Sequence, residues 1–406
     1  MGDVGLADVR AARERFDDES VVRETPLELN RSLSRMSDAT VHLKMEHLQR
    51  TGSFKTRGAY NKLVQLAARG DVSRVVAASA GNHAQGVAIA ATKNDIDSTI
   101  VMPRHAPQAK VDATRSYGGE VELEGTDFRE AMAYAQTLAD GDDVEFVHAY
   151  DDPAIVAGQG TLGIEIYEAL PDVDTVIVPI GGGGLIGGIS AALSELDPEI
   201  RVVGVQAEAA ATVPDSLDKG IPQSIDDAKT IADGIATGGI SELTFGLIRE
   251  HVDDVVTVSD DEIASATLLL LERAKQLVEG AGAASVAALL SADLDVVGET
   301  VVPVLGGGNI DISMLQTVLD HALTDRDQLL RLRVRIDDQP GKMEAVSGVI
   351  SDRGANIRTV RHDRAVGDLQ VGEAYLVFQI VTSGSGHART VIEAIESAGY
   401  EVSRVN

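Results

Sequence analysis

Within TGSFKTRGAY (residues 51–60) one lysine, Lys55, stands between Phe54 and Thr56, with Ser53, Arg57 and Gly58 close by. Most lysines are solvated surface charges, and that is one reading of Lys55. The other is that its amine is a reagent. A neutral lysine amine forms a Schiff base with an aldehyde, and keeping it neutral takes a desolvated, cation-shielded site. A second stretch, VPIGGGGLIGGISAAL (178–193), runs from an apolar strand through Gly181, Gly182, Gly183 and Gly184 into a helix starting near Leu185. Without Cβ atoms, successive backbone N–H groups can face one point and cradle an anion, and the helix dipole adds favourable potential. A tight turn alone needs fewer glycines. The stretch is not a P-loop, because no Lys-Ser/Thr follows, and it lacks the acid that dinucleotide binders place after the next strand. An amine for an aldehyde and a loop for a phosphate point to the one cofactor carrying both groups, pyridoxal phosphate.

Two further junctions share the strand–glycine–helix pattern. In ASAGNHAQG (78–86) Ser79 and the amides of Gly81, Asn82 and His83 sit where a helix N-terminus can hold a carboxylate, although an N-cap at Ser79 or Asn82 is the plainer reading. His83 by itself reads as a helix-start residue more readily than as a base. VLGGGNID (304–311) is the third. Three such junctions suggest one ligand with several polar groups lying across the strand ends.

The elements that must position these residues follow from periodicity. Strands are expected at 74–80, 98–103, 174–180, 201–207, 254–259 and 300–306, with helices at 82–94, 106–118, about 153–170, 185–195, 260–278 and 311–323. Alternating strand and helix implies a parallel α/β architecture with helices on both faces. After LTDRDQ (323–328) the pattern changes. LLRLRVRID (329–337) alternates apolar and basic residues, followed by a helix at 342–353, strands at 356–363 and 372–382, a helix near 387–398 and a strand at 400–405. This is βαββαβ, a ferredoxin-like unit.

Composition narrows the function. The 406 residues carry 35 Lys+Arg and 64 Asp+Glu, a net charge of −29. That argues against the basic footprint of a nucleic-acid binder and resembles cytoplasmic proteins of salt-loving microbes. There is no Cys, so disulfides, thiolate catalysis and Cys-based metal sites are excluded. The N-terminus lacks a signal pattern and no apolar run reaches about 18 residues. A cytoplasmic protein without membrane or nucleic-acid partners is expected. Aromatics are only 3% and Trp is absent, so the cores must be built of Val, Ile, Leu and Ala.

The stretches SFKTRGA, SAGNHAQG, GGGGL and GGGNID, in that order, with ADGIA (232–236) and VEGAGA (278–283), resemble the fold type II pyridoxal-phosphate enzymes. More narrowly they resemble the threonine dehydratase (threonine ammonia-lyase) and serine racemase branch, over residues 20 to 323. The resemblance implies a catalytic core of two parallel α/β subdomains within 1–325, the smaller one (about 52–150) inserted in the larger. It implies that Lys55 binds the cofactor covalently, that Phe54 packs beside its ring and that Asn82 meets its phenolic oxygen. Gly181 to Gly184 with Leu185 would bind its phosphate, and Gly234 and Glu279 would line the ring and substrate side. Ser79, Ala80, Gly81, Asn82 and His83 would receive the substrate carboxylate. Gly306 stands where the family commonly has a serine against the pyridine nitrogen, so that contact goes elsewhere. No metal ligand is expected.

The implied reaction is deamination of L-threonine, and of L-serine, by elimination of water. The rival is racemisation. The racemases place a serine just before Gly-Asn-His, where this chain has Ala80, and a glutamate of their cation site where it has Gln206. Both departures favour elimination. Synthases that exchange a β-substituent share the fold but not these motifs. A non-catalytic amino-acid sensor and a nucleotide-binding oxidoreductase are disfavoured by the intact lysine, asparagine and phosphate stretches. Residues 329–406 resemble an ACT domain, through DDQPGKM (337–343) and RGANI (353–357). It implies an amino-acid effector, isoleucine or valine, near Asp338, Pro340, Gly341, Met343, Asn356 and Ile357 at an interface between two such units, in a homodimer or homotetramer.

Overall fold

The computed structural model describes residues 4–16, 19–226, 228–291, 294–364 and 366–405. The chain divides into two compact units, Met1–Ile312 and Ser313–Asn406. The division falls within the first turn of the helix Ile312–Asp325, whereas the sequence pattern put it at 323–328.

The first unit is built on two sheets. The larger has six strands in the order Leu27–Leu29, Thr40–Lys44, Thr300–Pro303, Thr175–Pro179, Arg201–Ala207 and Asp254–Val258. All neighbours in it pair in parallel except the first two. The smaller sheet is wholly parallel, in the order Glu120–Leu123, Asp97–Met102, Arg74–Ala78 and Val144–Phe146. It is formed between the second and third strands of the larger sheet in chain order, so one subdomain interrupts the other. The central strands are buried along their length, as VIVP of Thr175–Pro179 is, which is why they read as continuous apolar runs. Helices packed on these sheets are rich in Ala and Gly. Gly158 and Gly188 let backbones meet, since a Cβ on either would lie within 2.6 Å of facing backbone.

Four strands escaped the sequence pattern: Leu27–Leu29, Thr40–Lys44, Glu120–Leu123 and Val144–Phe146. So did the helix Lys55–Arg69, which begins on the lysine itself. The helix expected over 260–278 ends at Leu269 and passes into a π-turn, Leu270–Ala274. Lys275 then turns left-handed at φ +59°, and Gln276 N–H closes on Leu270 O at 3.2 Å. Residues 275–279, which follow, are in neither helix nor strand.

After the helix Ile312–Asp325, the second unit is βαββαβ as its pattern predicts. Its antiparallel sheet has the order Asn356–Asp363, Glu373–Val381, Leu329–Asp337 and Val402–Arg404. Leu330, Leu332, Val334 and Ile336 point to one face and pack with Val346, Ile350, Val391 and Ile395 of the two helices Lys342–Asp352 and Ser385–Ser397. The alternate residues Arg331, Arg333 and Arg335 take the other face, the period-2 alternation of a half-buried strand.

Candidate active site

Between the two sheets of the first unit lies a cleft of about 540 Å³. Phe54, Lys55, Ser79, Ala80, Gly81, Asn82, His83, Gly181–Leu185, Gly234, Glu279 and Gly306 all line it. The motifs read separately along the chain therefore meet in one place.

Lys55 is the first residue of its helix, and that first turn is clamped from behind. Arg57 is fully buried and forks onto two buried carboxylates, with Nε to Glu46 at 2.8 Å and Nη1 to Glu165 at 2.6 Å. Lys44 adds a second cation on Glu165 at 2.6 Å. Two cations thus balance two carboxylates, and their remaining lone pairs are taken by Thr25 and Arg57. Burial alone would raise the Glu46 carboxyl, but Arg57 holds it below the usual range. The next residue, Gly58, donates its N–H to Gln159 at 3.2 Å and has backbone of the helix Pro153–Ala169 against its Cα. The lysine side chain is left to face the cleft. Its Nζ donates to Ala149 O at 3.1 Å and stands 5.1 Å from the Phe54 ring centroid. Burial pushes its pKa down to about 8, with Glu279 opposing. An amine so placed is partly neutral near pH 7.5, as a nucleophile or base requires.

The Gly181–Gly184 loop fits a phosphate. A Cβ on Gly182 would lie 2.1 Å from the Tyr150 ring, and Gly183 sits at φ +87°. Only glycine satisfies both positions. The first helical bond here is donated by Gly187 to Gly183 O at 2.9 Å, so the N–H groups of Gly184, Leu185 and Ile186 have no partner within the helix Gly184–Leu196. Donors at a helix start, a lysine facing the cleft and a half-buried amide (Asn82) form the set that pyridoxal phosphate needs. Gly306 presents its Cα to the Phe54 ring, where a Cβ would be 3.4 Å from Cδ1. It brings no hydroxyl to the cleft.

The Ser79–His83 loop closes the far side. Gly81 N–H is already given to Ser79 Oγ at 3.1 Å, leaving the serine hydroxyl proton and the amides of Asn82 and His83 at the start of the helix Asn82–Lys93. The His83 ring is buried, donates Nε2–H to Val147 O at 2.9 Å, and is pushed down to about 3 by burial with the Lys55 charge adding. It is therefore neutral at physiological pH, with Nε2 committed to a backbone carbonyl. Ala80 brings no titratable group.

Asn309, Lys110, His148 and Tyr150 also line the cleft, although the motifs did not mark them as site residues. Asn309, at the end of GGGN, donates to Asn82 Oδ1 at 2.6 Å and to Thr51 O at 2.7 Å. Asn82 in turn donates to Glu279 at 2.8 Å. Burial pushes Glu279 up to about 7, with Asp233 adding. Lys110 reaches Asp311 at 3.4 Å and Asp233 at 3.9 Å. His148 and Tyr150 stack edge-on at 4.6 Å beside the glycine loop. Gln206 accepts the N–H groups of Thr212 and Val213 at 3.0 and 2.8 Å, so its side chain ties down the segment that follows its strand.

The six expected effector residues do not come together within one copy. Asp338, Pro340, Gly341 and Met343 follow the strand Leu329–Asp337, while Asn356 and Ile357 pair with Val381 and Ile380, beside Leu329 and Leu330 at the opposite end of the sheet. Eight strand steps, about 27 Å, separate the two groups. Asp338 is held by Arg364 at 2.6 Å.

Residues 19–307 match the family of pyridoxal-phosphate dependent enzymes, and the chain belongs to that family. Within it, the chain is similar to L-threonine ammonia-lyase of Thermotoga maritima, 42% identical over 98% of this chain and 99% of that one. Among solved structures it resembles processed threonine deaminase isoform 2 of Solanum lycopersicum, with TM-score 0.74 and 35% identity over 79% of this chain and 90% of that one. It also resembles maize serine racemase, with TM-score 0.74 and 30% identity over 80% of this chain and all of the other.

Proposed function

We propose that this chain is a pyridoxal-phosphate dependent threonine ammonia-lyase, converting L-threonine to 2-oxobutanoate and ammonia by elimination of water. The observation that carries the reading is the meeting of Lys55 with the Gly181–Gly184 cradle in one cleft. When bound, the cofactor supplies an aldehyde for covalent attachment of amines and a ring that withdraws electrons from the substrate Cα. Lys55 would hold its aldehyde carbon, the amides of Gly181 to Leu185 its phosphate, and Asn82 its phenolic oxygen, with Phe54, Gly234, Glu279 and Gly306 around the ring.

Our own assignment of roles follows from the protonation states. The Ser79 hydroxyl and the amides at the start of Asn82–Lys93 hold the substrate carboxylate. Lys55, with its pKa near 8, takes the Cα proton from one face. With Ala80 opposite and His83 locked neutral, no side chain of this loop returns a proton from the other face. Such a site would favour loss of the β-hydroxyl over inversion at Cα, the hydroxyl leaving as water with the proton that Lys55 has taken. L-Serine, giving pyruvate, is the second substrate.

We read the second unit as an ACT-type module that takes an amino acid, isoleucine or valine, and governs the first. The separation of its two effector segments supports a site completed by a second copy, and hence a homodimer or homotetramer. We place the protein in the cytoplasm of a salt-adapted cell, in isoleucine synthesis or threonine breakdown. Among the described residues no helix is long and apolar enough to cross a membrane. The test is a keto-acid assay on purified protein in high salt with L-threonine and L-serine, with and without isoleucine. Turnover of threonine modulated by isoleucine is expected; absence of keto acid from either substrate overturns the reading.

A further inference from the structure

The cleft is bridged in two layers, and the layers address the same segments. In the inner layer Asn82, from the smaller subdomain, donates to Glu279 and accepts from Asn309 of the larger one. In the outer layer Lys110, also from the smaller subdomain, pairs with Asp311 at 3.4 Å and Asp233 at 3.9 Å. Asp311 lies two residues beyond Asn309. Gly234, next to Asp233, faces the Glu279 carboxylate, where a Cβ would be 3.2 Å from Oε1. Lys110 belongs to the helix Gln108–Ser116, which packs against the helix Asn82–Lys93 that begins with the substrate loop. All three charged residues line the cleft.

We propose that Lys110 is a positioning residue whose ion pairs with Asp233 and Asp311 clasp the smaller subdomain to the larger across the cleft mouth, holding the Ser79–His83 loop over Lys55. The arrangement does more than close the cleft. Asp311 and Asp233 would otherwise set two uncompensated carboxylates at the entrance of a strongly acidic protein that must admit a carboxylate-bearing substrate. Lys110 neutralises part of that charge. The groups acting on Glu279 are Asp233, which raises it, Lys110 and the hydrogen bonds of Asn82 and Asn309, which lower it, and Lys55, whose charge interacts with it. Loss of Lys110 therefore moves protonation of Glu279 to higher pH.

The kinetic part of the test rests on the threonine reading, and the structural part does not. The full-length protein is compared with Lys110→Met and with the reversed pair Lys110→Asp/Asp311→Lys. For Lys110→Met, KM for L-threonine rises roughly three- to tenfold, as expected for loss of part-exposed ion pairs, with kcat little changed. The acid limb of the pH profile moves to higher pH. Backbone amides of 79–83 and 108–116 exchange faster, in cofactor-free protein as well. The reversed pair recovers most of the KM. Unchanged KM, acid limb and exchange in Lys110→Met would overturn the proposal, as would failure of the reversed pair to recover. If the parent makes no keto acid from threonine, the threonine reading falls, and the exchange rates alone decide the clasp: faster exchange sustains it and unchanged exchange rejects it.

Discussion

Asn82 donates to Glu279 at 2.8 Å across 197 residues of sequence, joining the loop that follows one sheet to the segment that enters the last helix of the other. The carboxylate it meets is buried, and its pKa stands at about 7, burial being the chief cause. The folded protein therefore binds a proton at Glu279 between about pH 4.5 and 7 that the unfolded chain does not. Stability falls as pH rises through that window, and the full penalty is present above pH 7.

Glu279→Gln keeps an acceptor for Asn82 and removes the titration. In cofactor-free protein its unfolding free energy from urea titration should exceed the parent's above pH 7, by up to about 3 kcal/mol. The difference should vanish below about pH 4.5. Equal unfolding free energies at pH 8 would show that Glu279 ionises there without cost.

Arg57 compensates Glu46 and Glu165 with no exposure to water. Arg57→Met leaves Glu46 without its fork and two carboxylates sharing Lys44. A loss of about 3–5 kcal/mol is expected, read from the denaturation midpoint. A midpoint within about 0.5 kcal/mol of the parent would mean the quartet does not anchor the lysine-bearing helix.

On the proposed assignment of faces, Ala80 stands opposite Lys55 and brings no proton donor to Cα. Chiral chromatography of L-serine reactions should show pyruvate and no D-serine from the parent, and measurable D-serine from Ala80→Ser. D-serine formed by the parent as fast as pyruvate would contradict the assignment of faces.

The parts of this site that were legible in sequence are those where chemistry constrains the backbone. Gly182 and Gly183 announce themselves because a ring lies against one and a left-handed turn is required at the other. The central strands are legible because burial on both faces makes them uniformly apolar. Thr40–Lys44 was missed because its last residue is a lysine, buried and paired with Glu165, and a buried cation defeats any hydrophobic pattern. Glu120–Leu123 and Val144–Phe146 are short and carry glutamates. The end of the helix at Leu269 depends on a π-turn and on Gln276, which accepts from His47 at 2.8 Å; no local propensity marks either. The cross-cleft contacts of Asn82, Lys110 and Asn309 join residues more than 100 positions apart, and single-sequence periodicity holds no record of such pairs.

The central claim is that Lys55 carries the cofactor. Protein loaded with pyridoxal phosphate, reduced with borohydride and digested, should yield one modified peptide with the pyridoxyl group on Lys55. Lys55→Ala should yield none and should also lose the visible absorbance of the loaded protein. Modification of a different lysine in the parent, or undiminished trapping in Lys55→Ala, would contradict it.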